Sequence, residues 1–224
     1  MADLKPALMV RFDVCQPGDV DELIALLSDV FATEDPPAAA VGITPREFAA
    51  LVELYRDRAG TQGMTIVARC ARSGGMIGAL LAEDSSAPFP DGVDRLSQKF
   101  DPIFDILSQL DAEYRGGRLV PAGESLHLFL LGVSRQYARQ GVAQRLVAEC
   151  LATGIRRGYK RAVTEATNVV SQHIFRKLGF SDRVTRSYEH HRYGGQAHFT
   201  NITEHGGPVL LDLALTGGTA KTLS

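Results

Sequence analysis

The chain is poor in cysteine and has neither a long apolar run nor a strongly charged tract. Its three cysteines, Cys15, Cys70 and Cys150, are widely separated and form no CxxC pair, so neither a disulfide framework nor a cysteine zinc site is expected. No segment approaches the ~18 apolar residues of a membrane span, and the segment MADLKPALMV has no signal-peptide hydrophobic region. A cytoplasmic protein without a membrane partner is expected.

The charge balance argues against nucleic acid as a partner. The formal net charge is −2, from 24 Lys and Arg against 26 Asp and Glu, and no basic run is interleaved with aromatics. The histidines show no metal-ligand spacing supported by acids or cysteines, so no metal is expected. With 45% hydrophobic residues, the 224-residue chain can bury a substantial core. A small-molecule partner is therefore expected.

Strands and helices alternate along the chain. Outside the region described below, the predicted strands are Leu8–Val14, Thr65–Ala71, Met76–Ala82, Val184–Tyr193 and Val209–Leu215. Helical spacing of apolar residues from Val20 to Phe31 predicts a first helix, and the capping box at 44–47 begins a second. The closing residues 217–224 are expected to fray.

A long connection, from about 84 to 123, separates the predicted third and fourth strands. It contains a helix with an apolar side formed by Phe100, Ile103, Phe104, Leu107 and Leu110. Connections of this length in compact domains tend to be lids or binding loops. We expect this insertion both to cover the sheet and to help build a substrate pocket.

The strongest functional signal lies in Leu126–Phe180. The apolar strand LHLFLLGV leads into RQYARQGVAQRL and a helix to about Arg157, followed by a strand at Arg161–Thr167 and a helix at Val169–Leu178. A turn with Gly141 directly before a helix points unpaired backbone N–H groups at one spot, where the helix dipole favours an anion. Glycine at this position lets the main chain approach closely. The segment therefore predicts a pyrophosphate site.

These residues, in this order, resemble the GNAT N-acetyltransferase superfamily. The resemblance is carried by Leu131-Gly132-Val133, Arg139-Gln140-Gly141-Val142-Ala143, Asn168 with Ser171, and IFRKLGF ending at Gly179-Phe180. It implies a single GNAT domain over 1–216 with an α/β (α+β) fold. In that fold a central, mixed and mostly antiparallel twisted sheet of about seven strands is flanked by helices, and its parallel fourth and fifth strands splay apart.

The resemblance also implies acetyl-CoA as cosubstrate, with a backbone N–H near Val133 polarising the thioester carbonyl. The implied cofactor-binding residues are Leu131, Gly132, Val133, Arg139, Gln140, Gly141, Val142, Ala143, Asn168 and Phe175.

A second resemblance concerns the acceptor side. The segment Phe31–Pro37, with the insertion sequence KFDPIFDIL, is similar to the arylalkylamine N-acetyltransferase-like branch. In that branch the acid immediately before the proline is the general base, which corresponds to Asp35 here, next to Glu34. Two hydroxyl residues four positions apart assist in some members, which corresponds to Thr167 and Ser171.

His127 is an alternative base. Many superfamily members place a base at the start of this strand, and period-two alternation predicts that His127 shares a face with Phe129, Leu131 and Val133. Simpler explanations stay open: Glu34 and Asp35 could be solvated helix-end acids, and His127 a hydrogen-bonded histidine at a strand start.

The implied reaction is acetyl transfer to a primary amine of a small molecule, of arylalkylamine or polyamine type, by direct attack in a ternary complex. Such an amine has a pKa near ~10 and must lose a proton before it attacks, so a base is needed. The family often has a tyrosine where Phe175 stands, which leaves Ser171, Thr167, Tyr188 or water to protonate the thiolate. A peptide or protein N-acetyltransferase and a non-catalytic acyl-CoA-binding module are the alternatives. The amine, the acyl chain and the pairing of two chains as a homodimer are left open.

Overall fold

The computed structural model describes residues 9–215. The predicted fraying of 217–224 and the start of the first predicted strand at Leu8 lie outside these residues. Within the described residues, seven strands form one mixed sheet in the order β1-β2-β3-β4-β5-β7-β6, in which only β4 and β5 are parallel. The strands are β1 (Val10–Val14), β2 (Ile66–Cys70), β3 (Met76–Asp84), β4 (Ser125–Val133), β5 (Arg161–Ala166), β6 (Ser181–Thr185) and β7 (Val209–Ala214). This sheet confirms the predicted fold class.

Helices cover both faces of the sheet. They are α1 (Val20–Glu34), α2 (Pro36–Ala40), α3 (Pro45–Glu53), α4 (Arg56–Thr61), α5 (Asp101–Arg115), α6 (Val142–Arg156) and α7 (Val169–Lys177). One core is built around Leu23 and Leu27 of α1, and the other around Leu146 and Leu151 of α6. Each of these leucines is fully buried, which contributes roughly 2 kcal/mol of transfer free energy per side chain. Within residues 9–215, none of the helices is long and apolar enough to span a bilayer.

The connection between β3 and β4 carries α5. This helix has Pro102 in its first turn and ends at Gly116, whose φ of +55° suits a residue without a side chain. Ile103 and Ile106 join the core of α1, whereas Leu110 packs in a smaller cluster with residues of β5, β6 and β7. The helix therefore covers the α1 face of the sheet.

The two parallel strands separate along their length. Pairing between β4 and β5 ends at His127 and Val163, although β4 continues along β3 to Val133 and β5 continues along β7 to Ala166. A cleft opens where these strand ends diverge, as expected for a sheet of this class.

A β-bulge lies at Phe129 on β4. One step along β3, from Leu81 to Ala82, spans two steps along β4, so Phe129 is the additional residue. His127 and Phe129 are in ring contact and Phe129 packs on the α1 core, whereas Leu131 packs on the α6 core. The prediction that His127 shares a face with Leu131 is wrong, because alternation with a period of two holds only in a regular ladder.

The strand predicted at Val184–Tyr193 is also largely wrong. The observed strand β6 ends at Thr185, and the chain then enters turns. His191 lies in this segment and is buried, with Nε2 at 2.8 Å from Oδ2 of Asp105 on α5. The buried side chains of these turns contact α5 and its surroundings, so their apolar pattern does not arise from a strand.

Candidate active site

A cleft of about 730 Å³ lies at the split between β4 and β5, bounded by α1, α5 and the N-terminal ends of α6 and α7. This volume suits a small-molecule ligand. The lining residues that were predicted from the sequence are Glu34, Asp35, Leu131, Val133, Arg139, Gly141, Val142, Ala143, Thr167, Asn168, Ser171 and Phe175. The fold therefore brings both the predicted cofactor loop and the predicted acids to one cavity.

The N-terminus of α6 forms one end of the cleft. Gly141 precedes the helix with a φ of +79°, and no side chain caps the first turn. A Cβ added to Gly141 would meet no atom within 4 Å, so no steric clash requires glycine here. The left-handed backbone conformation and the close approach of a ligand from the cleft are the reasons that favour it. Arg139 also has a positive φ, +61°. The first N–H groups of α6 thus face a space that can hold a diphosphate.

The N-terminus of α7 forms the neighbouring wall. The Asn168 side chain caps this helix by accepting from the backbone N–H of Val170 and Ser171, both at 3.0 Å. The Ser171 hydroxyl donates to the Asn168 carbonyl at 2.9 Å. Both predicted residues are therefore held in place by the helix cap while they line the cleft.

Three of the predicted residues do not line the cleft. Among the described residues 9–215, its lining does not include Gly132, Gln140 or His127. Gly132 faces α1, where a Cβ would lie 2.8 Å from Cδ2 of Leu27, so close helix packing requires this glycine. Gln140 is exposed on the loop. The cofactor roles predicted for Gly132 and Gln140 stay predictions.

Asp35 stands at the corner between α1 and α2. Pro36 restricts the preceding residue to extended backbone, and Asp35 accordingly has φ −83° and ψ 118°, which ends α1. Its carboxylate accepts from Thr167 Oγ1 at 2.6 Å and from the backbone N–H of Ala38 at 3.2 Å. Asp35, which follows α1, is thereby hydrogen-bonded to Thr167, which follows β5.

The environment of Asp35 suits a base. Only 8% of the residue is exposed, and this burial raises its pKa to about 6, against the opposing effects of Thr167, Ala38 and the nearby His205. A carboxylate with this pKa is ionised at neutral pH yet binds a proton more readily than an ordinary aspartate. Glu34, one residue earlier, is exposed at the rim of the cleft.

Tyr188 supports Thr167 from behind. Its hydroxyl donates to the Thr167 carbonyl at 2.7 Å, and burial together with the negative charge of Asp35 raises its pKa well above the ordinary value. The phenol therefore stays protonated and acts here as a hydrogen-bond donor to the backbone.

His127 lies between two carboxylates. Its Nε2 is 2.7 Å from Glu165 Oε2 and its Nδ1 is 3.8 Å from Glu83 Oε1. Burial alone would lower the pKa of His127, but these two negative charges raise it to about 10. A protonated imidazole cannot accept a proton, so this environment disfavours His127 as a general base at neutral pH.

Sequence reasoning missed four titratable residues that line the cleft, Tyr137, Glu165, His173 and His205. Glu165 precedes Thr167 by two positions on the β5 segment, so strand alternation could have indicated their shared face. His205 lies in a 3₁₀ turn far along the chain, and its buried Nδ1 has no hydrogen-bond partner within residues 9–215. No local pattern relates it to Asp35.

In the described part of the chain, residues 9–215, no three His, Cys, Asp or Glu side chains group in a way that could hold a metal ion.

Part of the chain matches a known protein family. A family model described as the acetyltransferase (GNAT) family matches residues 99–180, which span α5 to the end of the α7 region and include the loop at Gly141. The segment that carries the predicted cofactor loop is therefore similar to the family that its sequence pattern predicted.

Solved structures share the whole fold. The C-terminal condensation domain of Ebony, in complex with beta-alanyl-dopamine, superposes with a TM-score of 0.83 at 14% identity, covering 92% of this chain and 99% of that chain. Arylalkylamine N-acetyltransferase 2 from Aedes aegypti gives a TM-score of 0.76 at 18% identity, with 92% and 99% covered. A polyamine N-acetyltransferase from Drosophila melanogaster gives 0.72 at 21% identity, with 92% and 100% covered. These similarities concern the fold.

Proposed function

We propose that the protein is an acetyl-CoA-dependent N-acetyltransferase that acylates the primary amine of a small, largely apolar molecule. One observation carries this proposal. A buried carboxylate with a raised pKa, Asp35, lies in the same cleft as the anion-binding N-terminus of α6. The cleft thus combines a place for the diphosphate of coenzyme A with a base for the amine.

The proposed step uses Asp35 as proton acceptor. The substrate ammonium transfers a proton to the carboxylate, directly or through water, and the neutral nitrogen then attacks the thioester carbonyl. The new C–N bond forms as the C–S bond breaks, and the thiolate leaves with the electron pair. Thr167 holds Asp35 at 2.6 Å and Tyr188 holds Thr167, so the base is fixed in orientation.

The leaving thiolate needs a hydrogen-bond donor or a proton. Phe175 provides neither, and Tyr188 already donates to the backbone. Ser171 lines the cleft and can turn its hydroxyl away from the Asn168 carbonyl, which makes Ser171 or water the proposed donor. The backbone N–H near Val133 is proposed to polarise the thioester carbonyl.

The apolar wall supports an aromatic acceptor. Four rings follow one another along it, Phe31, Phe48, Phe100 and Phe104, with centroid separations of 5.0, 5.8 and 5.4 Å. Such a wall offers ring contacts to an arylalkylamine, whereas a polyamine would bury its charges against it at a cost. A related fold is known with beta-alanyl-dopamine and another as an arylalkylamine N-acetyltransferase, which is in keeping with this choice.

The covered acceptor side also favours a small molecule over a peptide. The insertion contributes Phe100 to the wall, and its helix α5 contributes Ile103 and Phe104 and packs on the α1 core, so it occupies space that an extended peptide would need. A peptide acetyltransferase would instead present an open groove at this place.

Release of coenzyme A thiol tests the proposal. With acetyl-CoA and a panel of 2-phenylethylamine, tyramine, spermidine and an N-terminal peptide, we expect kcat/KM to be highest for the two arylalkylamines. Turnover of the peptide alone would replace the proposal with a peptide acetyltransferase. Calorimetric binding of acetyl-CoA without release of thiol from any amine between pH 6 and about pH 10 would leave a non-catalytic binding module.

The identity of the base is tested by pH profiles. The wild-type kcat/KM should fall below about pH 6 as Asp35 becomes protonated. Asp35→Asn should remove this limb and lower kcat by about 10²–10⁴. Glu34→Gln changes the adjacent acid of the same corner. If Glu34→Gln produces the loss and Asp35→Asn does not, the base is Glu34.

A further inference from the structure

A row of alternating charges crosses the sheet beneath the acceptor side of the cleft. Arg58 Nη1 lies 2.7 Å from Glu83 Oε2, Glu83 Oε1 lies 3.8 Å from His127 Nδ1, and His127 Nε2 lies 2.7 Å from Glu165 Oε2. The four side chains are between 9% and 20% exposed. Glu165 is the member that lines the cleft. The proposed mechanism uses none of the four.

Glu165 is placed to meet the far end of an acceptor. It precedes Thr167 by two residues on the same face, a separation of ~6.6 Å along an extended chain, and Thr167 contacts the proposed base Asp35. The aromatic ring of Phe129 follows His127 at 5.4 Å and also lines the cleft. A carboxylate and an aromatic surface therefore lie beside each other, away from the reacting nitrogen.

The charge balance around Glu165 selects the kind of group it can bind. Two carboxylates and two cations form the row, so the charge of Glu165 is already matched by His127. The positive charge of Arg115 acts on Glu165 as well. A second cation at Glu165 would face both positive groups, whereas a neutral hydroxyl could donate to the carboxylate without repulsion. No other side chain within residues 9–215 donates to Glu165.

We propose that Glu165 is an acceptor-binding residue that takes a hydrogen bond from a hydroxyl group at the distal end of the amine substrate. The inference rests on the proposed function, since it assumes that the amine lies at Asp35. It assigns the acceptor as a hydroxylated arylalkylamine, in which the ring lies on the Phe129 side and the hydroxyl reaches Glu165. His127 positions Glu165. Glu83 keeps His127 charged, and Arg58 holds Glu83 in place.

Binding of a matched pair of amines tests this assignment independently of turnover. Tyramine and 2-phenylethylamine differ in one hydroxyl, and their Kd values are measured by calorimetry with the protein saturated with coenzyme A. In the wild type, tyramine should bind at least about tenfold tighter, the value of a hydrogen bond to a charged group. In Glu165→Leu the two amines should bind within about twofold of each other, because the acceptor is gone.

Two further variants complete the test. Glu165→Gln is used if Glu165→Leu does not fold; its single carbonyl oxygen stays with His127, so the preference for tyramine should fall at least about threefold. Glu113→Gln is the control, because it removes a carboxylate from an ion pair on α5 that is neither in the row nor in the cleft lining, and it should change both Kd values by the same factor.

Several results would overturn the assignment. They are equal binding of the two amines by the wild type, an unchanged preference in both Glu165 variants, an equal loss of preference in Glu113→Gln, or tighter binding of an amine with a distal ammonium. An absence of turnover with every amine would contradict the proposed function alone, because the preference is read from binding.

Discussion

Asp35 combines three properties in one residue. The proline after it sets its backbone, burial raises the pKa of its carboxyl group to about 6, and Thr167 fixes its orientation. Burial of a carboxylate that must remain ionised opposes folding. The residue is therefore expected to be favourable for catalysis and unfavourable for stability at neutral pH.

This conflict predicts a stabilising substitution. Because the folded-state pKa of Asp35 is raised above its ordinary 3.8, its contribution to stability is largest below that value and is lost as the pH rises through about 6. Asp35→Asn carries no charge and should raise the free energy of unfolding at pH 7.5 by about 1–3 kcal/mol. Urea unfolding at two pH values measures this. Below about pH 4 the two proteins should have the same stability, and a less stable variant at pH 7.5 would contradict the argument.

At the scale of single elements, the start of α6 forms the end of the cleft that is proposed to bind the cofactor. Gly141 takes a left-handed conformation there, and the far end of the same helix is followed by Gly158 with a similar φ of +85°. A Cβ would meet no atom within 4 Å at either position. Both glycines therefore need a left-handed backbone conformation. Of the two, Gly141 lines the cleft and Gly158 does not.

Substitution of both glycines separates binding from strain. Gly141→Ala and Gly158→Ala should each lose about 1 kcal/mol of stability, the cost of a left-handed alanine. In contrast, Gly141→Ala should weaken coenzyme A binding at least about tenfold, which corresponds to 1.4 kcal/mol. Calorimetry gives both affinities. Equal affinities in the two variants would remove the support for a diphosphate site at Gly141.

The insertion helix α5 predicts a separate effect on the acceptor. Phe104 ends the row of aromatic rings, so Phe104→Ala should raise KM for 2-phenylethylamine about fivefold or more while coenzyme A affinity is unchanged. Phe89→Ala is the control, since Phe89 belongs to the same insertion and is 72% exposed. A similar rise in KM in both variants would indicate a general effect on the insertion.

At the scale of the whole molecule, the sheet is divided where β4 and β5 part. The strands β1 to β4 lie on one side of the cleft and β5, β7 and β6 on the other. Helices α5 and α6 each span this division, because each packs on strands of both groups. A ligand in the cleft would contact both sides and should stabilise the folded chain.

Thermal unfolding with coenzyme A measures this linkage. At a ligand concentration of about 100 times Kd, the stabilisation should be ~2.7 kcal/mol, which raises Tm by about 5–10 °C for a chain of this size. Gly141→Glu, which puts a carboxylate at the proposed diphosphate site, should show no such rise. An unchanged Tm of the wild type at millimolar coenzyme A would contradict a binding role for the cleft.

The sequence by itself determined the features that depend on neighbouring residues. The glycine turn before α6 and the cap at Asn168 are local, so Gly141 and Asn168 could be identified without coordinates, and the resemblance carried by Phe31–Pro37 indicated Asp35. The tertiary structure decided the rest. The bulge at Phe129 depends on pairing with β3, and it reversed the predicted face of Leu131 relative to His127.

Long-range packing also decided which charges meet. Glu165 and His205 reached the cleft, and His127 gained two carboxylate partners, through contacts between residues far apart in the chain. Sequence periodicity reports only which side of an element a residue occupies. It cannot report the burial and the neighbouring charges, which set the pKa of Asp35 and of His127 and hence their chemistry.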